Sequence, residues 1–290
     1  MKNFRKYLPY FLIFALLVSA VFIGYLIYQK EHPSNLLKVA FLDVGQGDSI
    51  YIEAPNGTQM LIDGGVSGPV LMSQLGKIMS FGDRSIDVVL ATHPDADHIG
   101  GLVEVFDNYK VDHVFENGLS STSKTFQNLE DKISKHKVDK IIARKGMHVV
   151  LDKSKNIYFD ILFPDRDVSN FDSNDASIVG RLVYGNESFM LTGDASVYEE
   201  NLIMQTESSQ DLNSQVLKLG HHGSHSASSR LWLENVKPDV AIISAGKNNR
   251  YGHPHQDILD RLNFLKIPYL STTDKGAIVF ETNGIVLSHN

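Results

Sequence analysis

The chain has 290 residues, of which 42% are hydrophobic and 21% charged, a composition typical of folded proteins rather than disordered ones. Its formal net charge of −7 argues against a non-specific grip on nucleic acid through overall attraction. The absence of cysteine excludes thiolate metal sites, cysteine nucleophiles and disulfide bonds.

The N-terminal segment predicts a membrane anchor. Lysine and arginine within the first six residues precede an uncharged, mostly apolar run from Leu8 to Tyr28. A bilayer span needs roughly 20 such residues, whereas a signal-peptide core has only about 7–15. The positive-inside rule then predicts a single-pass protein of the bacterial cell membrane, in the bilayer through residues 8–28, with its remaining domain extracytoplasmic. The alternative is a secreted domain, released by cleavage near Val18-Ser19-Ala20, which is a poor cleavage site.

The anchor is assigned to residues 1–29 and a polar linker to residues 30–36. Residues 37–290 are predicted to form one α/β domain. Short β-rich runs alternate with helical ones, which favours sheets packed face to face and covered by helices. The strands are predicted at 37–44, 49–54, 59–64, 87–92, near VDHVFE, and at 147–152, 157–163, 177–184, 188–193, 215–220 and 239–246, with two more at the end of the chain. The helices are predicted at 69–80, after residue 98, and at 122–137, 196–206, 227–236 and 255–265.

Polar residues gather at the ends of the predicted strands, which is where α/β scaffolds build functional sites. Seven of the twelve histidines fall in three such segments, a distribution that scattered surface histidines would not produce. The five places are Asp63 in LIDGG, the segment THPDADHIGG (92–101), Asp194 in LTGDAS, His221-His222 in LKLGHHGSH, and His253 and His255 in GKNNRYGHPHQ.

The segment THPDADHIGG carries four metal-competent side chains. His93, Asp95 and Asp97 alternate in a loop leaving a buried strand and therefore share one side, while His98 can turn to a second point nearby. That spacing suits two cations held by imidazole and carboxylate donors. The alternative is a helix-capping loop with solvated acids, which for Asp95 alone is the preferred interpretation.

The pattern His-x-Asp-x-Asp-His-x-Gly-Gly resembles the metallo-β-lactamase signature His-x-His-x-Asp-His. With DVGQGDS upstream and GHHGS downstream, residues 37–288 are similar to the hydrolase domain of the ComEC competence proteins. This resemblance implies a four-layer αββα metallo-β-lactamase-like sandwich. When the family's motif residues are matched to this sequence, the resemblance implies a centre with two metals. His93 and Asp95 would hold the first metal, and Asp97, His98 and His221 the second. Asp194 would bridge both metals, and Asp63 would support the ligands by hydrogen bonding.

Two positions depart from the wider superfamily. Asp95 stands where most members have histidine, and Asn174, with Asp175 beside it, stands where the third-motif histidine would fall. Both changes replace nitrogen with oxygen, which shifts preference from zinc towards manganese or magnesium. We expect two divalent ions, manganese or zinc, with the first site the weaker one and filled only with substrate.

Other polar residues near these motifs have less certain roles. His222 is predicted either to donate a proton or only to pack. Gly223 and Ser224 are predicted to offer backbone N–H groups and a hydroxyl near the second metal, as a cradle for an oxyanion. His253 is predicted to face the metals, so the catalytic set comprises Asp97, Asp194, His222 and His253. Lys247 and Arg250 read as a solvated turn, and His225 and His255 as helix-end residues. Gln46 and Asp48 receive no role beyond a tight turn and bracing of the metal loop.

The predicted function is a phosphodiesterase that acts on DNA or another phosphate-containing polymer, such as a teichoic acid, with metal-activated water as the nucleophile. Two alternatives remain open: a lactonase or β-lactamase-type acyl hydrolase, and a non-catalytic, metal-stabilised module that binds DNA or wall polymer. The single predicted span means that a role in DNA uptake beside a membrane transport partner does not follow automatically.

Overall fold

The computed structural model describes residues 2–31 and 36–290, with side chains for 7–24 and 36–290. Part of the predicted linker, residues 32–35, lies outside the described residues, and the linker remains a prediction. Helix α1 (Lys2–Glu31) is the one helix in the described chain that is long and apolar enough to cross a membrane. Its described side chains, those of residues 7–24, are all exposed, so none of the residues that the structure describes packs against this apolar stretch.

The rest of the described chain forms two β-sheets. In the first sheet the order is β15-β14-β1-β2-β3-β4-β5-β6, and in the second it is β13-β12-β11-β10-β9-β8-β7. The strands of the first are β1 (Leu37–Phe41), β2 (Ile50–Glu53), β3 (Gln59–Ile62), β4 (Ser85–Ala91), β5 (Lys110–Glu116), β6 (Asp139–Ile142), β14 (Ile278–Thr282) and β15 (Leu287–His289). Those of the second are β7 (His148–Asp152), β8 (Ile157–Phe163), β9 (Val179–Tyr184), β10 (Glu187–Leu191), β11 (Val216–Lys218), β12 (Val240–Ile243) and β13 (Tyr269–Ser271).

Helices cover the outer face of each sheet. Those described are α2 (Gly68–Ile78), α3 (Ala96–Ile99), α4 (Leu102–Asn108), α5 (Lys124–His136), α6 (Val197–Thr206), α7 (Ser209–Leu212), α8 (Arg230–Val236), α9 (Gln256–Leu265) and α10 (Thr272–Lys275), with 3₁₀ turns at Asn174–Ala176 and Gly220–Gly223. Leu71, Phe106 and Leu129 pack α2, α4 and α5 on the first sheet, and Ile203, Trp232 and Leu262 pack α6, α8 and α9 on the second.

A third core lies between the two sheets. The ring of Phe280 meets those of Phe41 and Phe189 edge to face, with centroids 6.0 and 5.8 Å apart, so the aromatic contacts join strands of both sheets. With helices outside each sheet, the molecule is the predicted four-layer αββα sandwich.

Most predicted elements are confirmed within a few residues, and two strands had been missed. Strand β6 lies at the edge of the first sheet and is largely exposed, and β13 is a three-residue edge strand of the second, so neither carries the apolar signal of a buried strand. The helix predicted after residue 98 begins earlier, at Ala96, and consists of two short helices, α3 and α4.

The strand directions explain where the polar loops meet. Strands β3 to β6 run parallel in the first sheet, and β10 to β13 run parallel in the second. Because parallel strands end at the same edge of a sheet, the loops that follow their carboxyl ends cluster there. The loops after β3 and β4 carry Asp63 and THPDADH, and those after β10, β11 and β12 carry Asp194, His221-His222 and His253.

Candidate metal centre

His98 lies at the centre of the site and is fully buried. Its Nδ1–H donates to Asp63 Oδ2 at 2.7 Å, so its Nε2 is left to face the other loops. The Asp63 carboxylate is itself held by the backbone N–H of Thr92 at 2.8 Å and by the Thr92 hydroxyl at 2.7 Å. Asp63 therefore lies behind His98, and this hydrogen bond orients the ring and favours the tautomer with its proton on Nδ1.

Three side chains, those of Asp97, Asp194 and His222, lie on the Nε2 side of His98. Asp194 Oδ1 lies 3.2 Å from His98 Nε2, while Asp194 Oδ2 and Asp97 Oδ2 lie 3.4 and 3.5 Å from His222 Nε2. Ligands at 2.0–2.2 Å from one tetrahedral cation would be about 3.4 Å apart. Asp97, His98 and His222 form one group that could hold a divalent cation, Asp194 contacts both of its histidines, and we call these four residues the inner group.

Unpaired polar atoms support the same interpretation. The Nε2 atoms of His93, His98 and His222 and the Oδ1 atom of Asp194 are buried and have no hydrogen-bond partner among the described residues. Buried polar atoms without partners are costly, and four of them in adjoining groups of metal-competent donors favour a site for cations. The donor set consists of imidazole and carboxylate groups, which are ligands of divalent metal ions.

A second set of donors adjoins the inner group on the side of His93. His93, His98 and Asp194 each place a donor atom within 4.8 Å of the others, and His93 Nε2 lies 3.7 Å from Asp95 Oδ2. The Asp95 side chain is 44% exposed and accepts a hydrogen bond from Ser173 Oγ at 2.6 Å. Asp95 makes this set more exposed to solvent than the inner group, and the weaker first site remains a prediction.

The two neighbouring histidines of the GHHGS segment take different positions from those expected. His222 is buried within the inner group, with Nδ1 2.8 Å from the carbonyl oxygen of Ser244. His221 belongs to no metal-competent group in the described chain, and its Nε2 lies 3.7 Å from Asp194 Oδ2. Both residues have positive φ, 48° and 56°, and this turn sends their rings in different directions. The geometry thus favours His222 as the metal ligand, whereas the resemblance to the family's motif implies His221.

Asn174 contacts His221 rather than the inner group. Its Nδ2 lies 3.5 Å from His221 Nδ1, which also contacts Ser226 Oγ at 3.2 Å, and its buried Oδ1 has no hydrogen-bond partner among the described residues. Asn174 follows Ser173, the partner of Asp95, so Asn174 and His221 border the more exposed donor set.

His253 and Ser224 lie at the rim of the centre. The His253 ring is 5.4 Å from that of His221 and 6.0 Å from that of His222, and Tyr251 stacks on it at 5.6 Å. The backbone N–H of Ser224 donates to the carbonyl of His221 at 2.8 Å and so is already used. The expectation that this N–H would bind an oxyanion therefore does not hold in this structure.

Two residues that the sequence interpretation left aside or overlooked complete the buried part of the site. Lys218 has 0% exposure, forms an ion pair with Asp48, and donates to the carbonyl of Gly193 at 2.7 Å. Asp48 Oδ1 lies 3.3 Å from His222 Nδ1, and Lys218 Nζ lies 3.7 Å from Asp194 Oδ1. The available signal was a lysine inside the apolar run VLKL, next to the histidine motif.

The charged groups of the inner group stabilise one another. Burial alone would lower the pKa of His98, but the carboxylates of Asp194 and Asp63 outweigh it and raise that pKa well above its usual value. Burial likewise opposes protonation of His222, whose pKa Asp194 and Asp48 raise. Burial would raise the pKa of Asp194, yet His222 and His98 hold it well below its usual range. The site thus favours positive charge beside Asp194.

Two other histidines near the centre are held neutral. Burial, assisted by His98, lowers the pKa of His93 to about 4. Burial and the neighbouring His221 lower the pKa of His253 to about 4. Both rings therefore have a free nitrogen lone pair at neutral pH, which is the form that binds a metal or accepts a proton.

Comparison with known proteins agrees with this architecture. The family model of the metallo-beta-lactamase superfamily matches residues 42–247. ComE operon protein 3 of Bacillus subtilis (strain 168) is 31% identical over 260 residues, covering 84% of this chain and 33% of that protein. Competence protein ComA of Neisseria gonorrhoeae is 30% identical over 262 residues, covering 89% and 34%. The chain thus spans about a third of the length of these curated relatives.

Among solved structures, the fold is similar to that of Igni18, a metallo hydrolase from the archaeon Ignicoccus hospitalis, with a TM-score of 0.58 and 14% identity. The superposition covers 85% of this chain and 99% of that one. At this level of identity the likeness concerns the fold alone.

Proposed function

The chain belongs to the metallo-β-lactamase superfamily and is a metallohydrolase related to ComEC-like competence proteins, and from this premise we propose that it hydrolyses phosphodiester bonds in DNA or another phosphate polymer. The observation that carries the proposal is the pair of adjoining donor sets that share Asp194 and contain the carboxylates of Asp95 and Asp97. Oxygen-rich paired sites are typical of enzymes that act on phosphate esters.

The residues that would hold the ions follow from the donor geometry. Asp97, His98 and His222 would bind the inner ion, His93 and Asp95 the outer one, with Asp194 between them. Divalent cations there, manganese or zinc, would activate water and neutralise the charge of a phosphodiester. This explains how a protein of net charge −7 can act on an anionic polymer.

The remaining residues would orient the substrate and the ligands. Asp63 faces Nδ1 of His98, while the Ser244 carbonyl at 2.8 Å and Asp48 at 3.3 Å face Nδ1 of His222, so both Nε2 atoms would be directed into the site. His253 lies at the rim with its Nδ1 buried and without a partner among the described residues. Because it is neutral at pH 7, it would contact the leaving oxygen through its single N–H, and His222 is assigned to metal binding rather than to proton donation.

The location proposed for this activity is the outer face of a bacterial membrane. Helix α1 supports a single-pass anchor through residues 8–28, and the competence relatives support a transport partner in the same membrane. Protease added to intact cells should then degrade the domain while leaving the N-terminus protected. Release of the domain into the medium would indicate a cleaved signal peptide instead.

The activity is tested with the full chain in detergent, freed of metal and reloaded with Mn²⁺ or Zn²⁺. Bis-p-nitrophenyl phosphate and linear single- and double-stranded DNA should be cleaved, and Asp194→Asn should abolish cleavage. The matched control is Asp152→Asn, which changes a buried carboxylate at the remote β7–β8 turn and should keep full activity. Turnover of nitrocefin or a lactone with no phosphodiester cleavage would overturn the proposal in favour of an acyl hydrolase. DNA binding without any turnover would favour a binding module.

A further inference from the structure

The buried ion pair of Lys218 and Asp48 lies directly behind the inner group. Lys218 is the last residue of β11, and Asp48 precedes β2, so the pair joins the second sheet to the first. Both side chains are almost completely buried. A buried ion pair contributes little net stability because desolvation offsets the attraction, so its presence calls for another explanation.

Each member of the pair contacts a residue of the inner group. Asp48 Oδ1 lies 3.3 Å from Nδ1 of His222, which the carbonyl oxygen of Ser244 also contacts at 2.8 Å. Both contacts are on the side of the ring opposite Nε2, the atom that faces Asp97 and Asp194. Lys218 Nζ lies 3.7 Å from Asp194 Oδ1 and anchors the preceding residue, Gly193, through its carbonyl at 2.7 Å. The pair therefore constrains the backbone and carboxylate of Asp194 and, together with the Ser244 carbonyl, the ring of His222.

Asp48 could itself be a metal ligand, because one of its carboxylate oxygens lies within 4.8 Å of donor atoms on Asp194 and His222. The ammonium of Lys218 already contacts Asp48, however, and provides the positive charge that its carboxylate requires. It holds the pKa of Asp48 below its usual value despite the opposing effect of burial. Asp48 is thus a partner of Lys218 rather than a further ligand.

We propose that Lys218 and Asp48 are positioning residues that hold Asp194 and His222 at the spacing required for the inner ion. The inference rests on the metal centre of the proposed function but not on its substrate. Removal of a residue that contacts and orients a metal ligand typically weakens metal binding about 10–100-fold.

The decisive variant removes both charges at once. Asp48→Asn with Lys218→Met leaves the net charge of the site unchanged, so a change in affinity reports position rather than simple electrostatics. The full chain is purified in detergent, treated with EDTA and titrated with Mn²⁺ by calorimetry. The Co²⁺-loaded protein is compared by its visible absorption, which depends on ligand geometry. Circular dichroism and the unfolding midpoint in EDTA establish that the variant is folded.

We expect the double variant to bind Mn²⁺ about 10–100-fold more weakly and to show an altered Co²⁺ spectrum while it remains folded without metal. The matched control is Lys38→Met with Glu53→Gln, which removes a half-buried pair at the opposite end of the first sheet and should leave both readouts unchanged. Unchanged affinity and spectrum in the double variant would overturn the inference, as would an equal loss in the control or a wild-type chain that binds no metal.

Lys218→Met alone provides a second test if the double variant does not fold. Loss of a positive charge beside the site would by itself tighten cation binding, whereas loss of positioning weakens it, so the sign of the change separates the two effects. Tighter binding overturns the inference. A wild-type chain that binds Mn²⁺ but cleaves no phosphodiester would refute the proposed function and leave this inference standing.

Discussion

Replacement of Asp63 by asparagine tests the role of the residue behind His98. The carboxylate has 0% exposure and accepts hydrogen bonds from the Thr92 backbone, the Thr92 hydroxyl and His98 Nδ1, at 2.8, 2.7 and 2.7 Å. An asparagine oxygen can keep the backbone bond, and the hydroxyl can turn to accept from the new amide group. The amide N–H₂ then faces His98 Nδ1, where two donors cannot pair.

Asp63 is also one of the two carboxylates that raise the pKa of His98, so the variant favours a neutral imidazole. That imidazole must carry its proton on Nε2, the atom that faces the metal centre, or leave a buried donor unpaired. A buried unpaired donor costs about 1–3 kcal/mol. If metal binding restores the original tautomer, the affinity for Mn²⁺ falls by the same free energy, which is about 5- to 150-fold.

The assay is a calorimetric Mn²⁺ titration of the metal-free full chain, beside Asp152→Asn. Asp152 is also buried and accepts from the backbone and hydroxyl of Ser154, but it lies at the remote β7–β8 turn. The control should therefore bind Mn²⁺ as the wild type does. Wild-type affinity in Asp63→Asn would refute the argument that this carboxylate sets the tautomer of His98.

Three further changes have defined expected outcomes. His222→Ala should lose more Mn²⁺ affinity than the 10–100-fold loss typical when a residue that supports a metal ligand is removed, and His221→Ala should lose less. The reverse order would identify His221 as the ligand, as the sequence motif predicts. Gly47→Ala would place a Cβ 1.8 Å from the Asp97 carbonyl oxygen at a φ of +109°, so it should lower the unfolding midpoint and weaken Mn²⁺ binding. The control Gly45→Ala also has a positive φ but has no other atom within 4 Å of its Cβ. It should cost only about 1–2 kcal/mol of strain and keep Mn²⁺ affinity. Burial raises the pKa of Glu116 to about 7 from an unfolded value near 4.5, so its favourable contribution to folding stability is complete below pH 4.5 and is lost as the pH rises through 7. The unfolding midpoint should therefore fall more between pH 5 and 8 in the wild type than in Glu116→Gln. Equal falls in the two proteins would contradict this.

Much of the sandwich was predictable because the sequence alternates apolar runs with helical segments and turns. The run SIDVVLA followed by THPDADH places a buried strand directly before the metal loop, and LKLGHHGSH repeats the arrangement in the second sheet. Parallel strands then bring both loops to one edge, so the presence of a metal site at that edge followed from the pattern.

Other features depend on contacts that local sequence does not contain. The choice between His221 and His222 is made by two consecutive residues with positive φ, which sequence periodicity does not reveal. The burial of Lys218 depends on Asp48, a residue far away in the sequence, and on the packing of one sheet against the other. Strand β6 exists because β5 offers it an edge, not because of an apolar pattern of its own.

The position of β14 has a consequence for how the domain assembles. Strand β1 pairs with β2 on one side and with β14 on the other, so Val39 lies between Ile52 and Phe280. Contacts between residues so distant in sequence form slowly, because a long loop must close before they contribute. During synthesis every donor of the metal centre emerges before β14 does, yet the first sheet remains incomplete. We therefore expect nascent chains that lack β14 to bind Mn²⁺ poorly, and metal loading to follow the completion of the sheet.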